Sequence, residues 1–224
     1  MGKKINNRAY PKWFEPLLLE ALIRIMIVNN IDFFEKDVEL FPNGSVHDAI
    51  LAQDTIIQDI PCTGSRSVVF YSSGQLKLCW LSSKTILDDI PCASNSVLYL
   101  HENGRLWNVS LASDYQINKV LYRSGSRITF DETGELLEYS ESLDMDQWVE
   151  GLPGSSQFDL WRYADGRPSL IVLSSSHVIR GKEYPRGAEI FLNQDGEVID
   201  WQLVDLDSGQ RKQRVSGFFQ VDWL

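Results

Sequence analysis

Apolar residues return on a thirty-residue beat along most of this chain. Count from the glycines at Gly44, Gly74, Gly104, Gly134, Gly166 and Gly196, where one two-residue slip separates the fourth from the fifth. Six residues before each glycine stand Val38, Val68, Leu98, Ile128, Leu160 and Ile190. Four before stand Leu40, Phe70, Leu100, Phe130, Arg162 and Leu192, and two after stand Val46, Leu76, Leu106, Leu136, Pro168 and Val198. Seven after stand Leu51, Leu81, Leu111, Leu173 and Leu203, with Leu143 displaced by the slip. Self-similarity at this period means one supersecondary unit stacked six times. Alternate positions that stay apolar mark the buried face of a sheet.

Each glycine follows a turn former, as in Asn43-Gly44, Ser73-Gly74, Asn103-Gly104, Thr133-Gly134, Asp165-Gly166 and Asp195-Gly196. Such pairs between apolar runs predict a β-hairpin with a type I′ turn, whose two central residues both take positive φ. The expected fold is therefore all-β: an antiparallel meander of about twelve strands, built from six thirty-residue hairpin repeats over residues 37–224. Arg162 and Pro168 break their columns in the fifth unit, and Pro168, which cannot donate to a ladder, predicts an edge or a bulge there. The Ile-Pro stretches around Asp59-Ile60-Pro61-Cys62 and Asp89-Ile90-Pro91-Cys92, and Gly151-Leu152-Pro153-Gly154-Ser155-Ser156, read as connectors between units.

Residues 1–30 read differently, as an arm and one amphipathic helix. From Pro11 to Asn29, Trp13, Phe14, Leu17, Leu18, Ala21, Leu22 and Ile25 recur at helical spacing, although Ile23–Val28 is β-branched enough to be a strand. Lys3, Lys4, Arg8 and Lys12 ahead of it imitate a secretory signal, but Glu15, Pro16, Glu20 and Arg24 interrupt the apolar run. It is also too short and too charged to span a bilayer.

Sheet width bears on closure. Twelve strands at ~4.8 Å make a sheet about 58 Å wide, whereas an 18-residue helix is only about 27 Å long. The helix cannot cover that apolar face, so the sheet is expected to curl into a barrel or closed roll, as a single domain over residues 1–224. A barrel of this size would leave an interior cavity. An open solenoid with both faces half-wet is the competing architecture.

Net charge is −10, and no basic cluster offers the face that a nucleic acid or an anionic membrane requires. The three cysteines, Cys62, Cys79 and Cys92, have no metal-site spacing. Cys62 and Cys92 hold matching positions roughly 9–10 Å apart across two strands, too far for a disulfide, so all three read as reduced thiols suited to a cytoplasmic compartment.

The pattern of apolar strand, Asn-Gly, leucine-bearing strand and Ile-x-x-Ile-Pro resembles the tandem hairpin repeats of the MORN type and the bacterial antitoxin-like proteins built on them. The resemblance covers residues 37 to about 205. The units here are longer than MORN units and lack their Gly-x-Gly core. It implies a β-meander and a binding or scaffold role, and supplies no catalytic residues.

Catalytic motifs for phosphate, dinucleotide, zinc or acyl chemistry are absent from the sequence, and no metal or cofactor is implied. His47 and His101 lie near hairpin turns, where they could act on one rim of a closed sheet or be ordinary half-exposed strand residues. Columns that vary between repeats are where a site would be written, since constant columns are committed to packing. His101, Glu138 and Asp200 are the candidates for moving a proton, and Trp107, Tyr139 and Trp201 for holding a ligand. A bulge two to five residues after each glycine would reverse which of these face inward. Two functions follow. One is binding of a hydrophobic small molecule in the barrel interior, with acid–base chemistry of an isomerase or cyclase type; the other is a non-catalytic scaffold for a protein partner.

Overall fold

A computed structural model describes residues 25–208. Twelve strands form one antiparallel sheet in which each strand pairs with the next along the chain, from Glu39–Leu40 at one edge to Val198–Leu203 at the other. The meander and its six long hairpins are as the glycine beat predicts. The two edge strands do not pair with one another, so the sheet is open and forms neither barrel nor roll.

The apolar face is covered in another way. The two Ile-Pro stretches are not connectors but the returning strands of short hairpins, and one such hairpin follows each of the first five long ones. In the second unit the long hairpin is Ser67–Phe70 with Leu76–Trp80, and the short one is Thr85–Leu87 with Ile90–Cys92. The segment Leu152–Gly154 is likewise the returning strand of a short hairpin with Gln147–Val149. Isolated bridges Cys62–Leu81, Cys92–Leu111 and Gly154–Leu173 tie each of these short hairpins to the long hairpin of the following unit. Their inward residues, such as Ile57, Ile60 and Cys62, join Leu76, Cys79 and Leu81 in one core running from Phe33 to Phe130. A second core begins at Leu143 and continues through Leu160, Leu173 and Leu192. The size argument for closure fails because the chain carries its own second layer.

Turn chemistry is divided between the two kinds of hairpin. In the long ones the glycine alone has positive φ, for example Gly74 at +85°, and its amide donates to the Tyr71 carbonyl at 2.8 Å. This is a three-residue loop closed by a left-handed glycine, not the expected type I′ turn. The type I′ turns belong to the short hairpins, at Gln58-Asp59 (φ 51° and 66°), Asp88-Asp89 (48° and 65°) and Asn118-Lys119 (49° and 69°).

Every long hairpin also carries a bulge on its second strand. In the second unit Val69 faces Leu78 but Phe70 faces Leu76, leaving Lys77 as the extra residue. The same shift recurs in the other five units, including the one that contains Pro168. It keeps positions two, five and seven after the glycine on the buried face, as with Leu76, Cys79 and Leu81, all 0 % exposed.

Among the described residues no α-helix forms; the helical turn present is the 3-10 segment Glu35–Asp37. The expected helix over Pro11–Asn29 lies outside the described residues up to position 24. From Ile25 onward it is corrected: Ile25–Val28 is a strand paired with Ile31–Phe34 around Asn29 and Asn30, whose φ values are 53° and 63°. The β-branched Ile25, Ile27 and Val28 favour that outcome. Among the described residues no helix is long and apolar enough to cross a membrane.

Candidate interaction face

The six candidate site residues do not converge. Adjacent strand residues point to opposite faces, and the bulge sets which of them points inward. Glu138 and Asp200 therefore lie on the solvent side of the large sheet while Tyr139 and Trp201 pack against the two cores. The Tyr139 ring stands 4.8 Å from that of Tyr122, and the Trp201 ring 5.6 Å from that of Tyr184. Glu138 and Asp200 are separated by four strand steps, about 19 Å. Asp200 accepts the Trp201 amide at 2.8 Å.

His101 has a structural partner. Its Nε2–H donates to the Phe130 carbonyl at 3.0 Å. At the same place in other units the Tyr71 hydroxyl donates to the Leu100 carbonyl at 2.9 Å, and that of Tyr163 to the Leu192 carbonyl at 2.6 Å. Each ring reaches one unit ahead, so this column clasps successive turns together. Trp107 is the bulge residue of its unit, with its ring 5.6 Å from His101 and 5.5 Å from Tyr99.

Two candidates have a perturbed proton affinity, Glu138 and Tyr139, and burial raises the Tyr139 phenol. Burial raises the Glu138 carboxyl above the usual range, and a hydrogen bond with Ser169 offsets part of that rise. Glu138 faces Thr129 on one side and Tyr163 on the other, and Asn108 donates to the Thr129 hydroxyl at 2.6 Å. Burial, and secondarily the charge of Glu138, raises the Tyr163 phenol. Asn108, Thr129, Glu138 and Tyr163 thus form a polar row across that sheet face. The hydrogen bond to Cys62 and then burial push the Cys79 thiol up, and burial pushes Cys92 up to about 11, which keeps these two in the protonated, poorly nucleophilic form. Among the described residues no group of three or more His, Cys, Asp or Glu side chains is placed to hold a metal ion.

The fifth unit holds a cluster that column reading flagged only as an irregularity. In two earlier units the first residue of the short-hairpin turn grips the next bulge: Gln58 Oε1 accepts the Leu76 amide at 3.0 Å, and Asp88 Oδ2 accepts the Leu106 amide at 2.8 Å. The matching amide is missing at Pro168. Glu150, at the matching turn position, instead meets Arg162 Nη1 at 3.2 Å, while Arg162 Nε donates to Glu141 at 2.5 Å. Arg162 occupies a column that holds buried Phe70, Leu100, Phe130 and Leu192 in other units, and its side chain is only 17 % exposed. A cleft of 370 Å³ opens here, with Asp144, Trp148, Glu150 and Arg162 on its walls.

Arg162→Leu is expected to leave stability within about 1 kcal/mol of the parent, or to raise it, as when a buried ion pair is replaced by a well-packed apolar side chain. Glu141 and Glu150 keep water access, at 41 % and 54 % exposed, so no buried charge is stranded. Urea unfolding decides it. A loss of several kcal/mol would mean that the ion pairs hold the two cores together.

The short hairpins present the least expected surface. Their outward pairs should be polar on a solvated face, yet they are Ile56 with Pro61, Ile86 with Pro91, Gln116 with Leu121, Trp148 with a buried Pro153, and Val178 with Glu183. Ile56, Ile86, Leu121, Trp148 and Val178 are 72 %, 71 %, 55 %, 67 % and 56 % exposed. One apolar side chain per unit therefore stands in a row along the second layer. The Ile-Pro recurrence carried the signal for this row, but it was legible only once those segments were known to be hairpins.

No protein-family model matches the chain, and no curated protein matches it.

Proposed function

We propose that this protein is a non-catalytic scaffold and that its partner docks on the row of short hairpins. The observation that carries this reading is the row itself: five successive units expose an apolar side chain on the outward pair of their short hairpin, from the first strand in four of them and from the second, at Leu121, in one, as interaction surfaces do. The resemblance to MORN-type repeats points the same way. The alternative, a hydrophobic small molecule held in an enclosed interior, loses its cavity when the sheet stays open and its apolar face is filled by the second layer.

A photo-reactive residue placed at position 86, on the short-hairpin row, is expected to capture a protein partner in the cell. The same residue at position 78, on the solvent face of the large sheet, is expected to capture none. Capture confined to position 78, or at neither position, would overturn the reading.

A further inference from the structure

We propose that the occupant of this row is an amphipathic α-helix with basic flanks, lying across the short hairpins and setting one apolar side chain against each. The proposal rests on the scaffold reading and adds the chemistry of the partner.

Spacing gives the first argument. Successive units are two strands apart in the large sheet, which is about 9.6 Å, and the short hairpins follow that period. An α-helix advances about 10.5 Å in seven residues and returns nearly to the same face. An apolar residue repeated every seven positions thus meets Ile56, Ile86 and Trp148 at one place on their hairpins, and Leu121 one strand across from it. An extended strand covers the same distance in three residues but turns alternate anchors away. A polyproline helix also matches, at about 9.3 Å per three residues. It is too slender, however, to engage the charges that flank the row.

Charge gives the second argument. Hairpin tips on one side of the row carry Asp59 and Asp89, and the open ends on the other side carry Asp54, Asp144 and Asp146, all exposed. Hydrogen bonds from the Ser156 amide and hydroxyl hold the Asp146 carboxyl below the usual range, so it is ionised at neutral pH. Asp114 and Arg123 on the same rim neutralise each other at 2.8 Å, and Lys84 and Lys119 are the basic exceptions. These flanks lie about three residues, or ~10 Å, from the row, within reach of lysine or arginine side chains on a helix some 10–12 Å across. The fifth hairpin reverses sign, with exposed Lys182 and Arg186. The helix therefore has its basic residues over the first and fourth hairpins, at the two ends of its span, and ends, or turns acidic, beside Val178. From Ile56 to Trp148 is three unit steps, about 29 Å, or about 19 helical residues.

The footprint is narrow. A strip about 29 Å by 11 Å is well below the ~800 Å² per partner of a standard interface, so micromolar affinity is expected.

The probe is a 22-residue fluorescent helical peptide with leucine every seventh position and lysine on both flanks, titrated by anisotropy into the full chain. Micromolar binding is expected. At least tenfold weakening is expected for a peptide of the same composition in scrambled order, for one with glutamate replacing lysine, and for the parent peptide on Ile86→Asp. Melting temperature checks that this variant is folded; Ile86→Ser serves in its place if it is not. Equal binding by the scrambled or glutamate peptide, tighter binding by a proline-rich peptide, or no binding at all would overturn the helix. Capture at position 86 without peptide binding would leave the scaffold standing and remove only the helix. No capture at position 86 would remove both.

Discussion

Leu81→Ala is expected to cost about 2–5 kcal/mol, while Ile86→Ala, five residues away, costs about 0.5 kcal/mol or less. Leu81 is 0 % exposed and lies where the two layers meet, bridged to Cys62 of the preceding short hairpin. Its amide donates to the Ser96 carbonyl at 3.0 Å and its own carbonyl accepts the Asn95 amide at 2.7 Å. The backbone around it is thus held, and the space left by truncation cannot easily close. Leu51, Leu111 and Leu173 take the same position at 0–1 % exposed, so each should behave alike. Ile86 has a similar side chain at 71 % exposed, and its removal takes little apolar surface out of contact. Denaturant midpoints at constant slope measure both. Comparable losses at the two positions would mean that the short hairpins do not form the second layer.

The large sheet was legible because its signals are long and redundant. Six glycines in register, four apolar columns and strands that run to four to six residues in all but the first, Glu39–Leu40, each report the same meander. The second layer escaped for physical reasons that can be named. Its strands are three residues long, too short for a period to declare itself. Its turns use Gln58-Asp59 and Asp88-Asp89 in the left-handed region, where sequence reasoning looks for glycine. Missing those turns turned hairpins into connectors, and the uncovered sheet then had to be closed on itself. The candidate site suffered from one further local fact. A single bulge residue such as Leu137 or Ile199 decides whether Glu138 or Tyr139, and Asp200 or Trp201, faces the core, and variability of a column carries no information about which way it points. Arg162 and Pro168 were visible as breaks in their columns, but their connection through Glu150 needed the short-hairpin turn in place.

Gly187→Ala is expected to destabilise the protein by about 2–5 kcal/mol, against about 1 kcal/mol for Gly125→Ala. Both glycines have left-handed backbone, with φ of +79° and +87°. That alone is tolerable, since Ser65 and Asn95 occupy the matching place in earlier units at 56° and 57° with side chains attached. The difference is contact. A Cβ on Gly125 meets nothing within 4 Å, whereas one on Gly187 falls 2.7 Å from the Val204 carbonyl oxygen. That strand end cannot simply retreat, because the Val204 amide donates to the Gly187 carbonyl at 2.9 Å, and Val204 packs with Val172 and Leu206 beneath it. The alanine must therefore break the last pairing of Val198–Leu203, the edge strand of the whole sheet, or strain it. Thermal unfolding of the two variants side by side separates the cost of φ from the cost of the clash. Equal losses would show that the Val204 segment yields freely and that the sixth unit is not locked at its end.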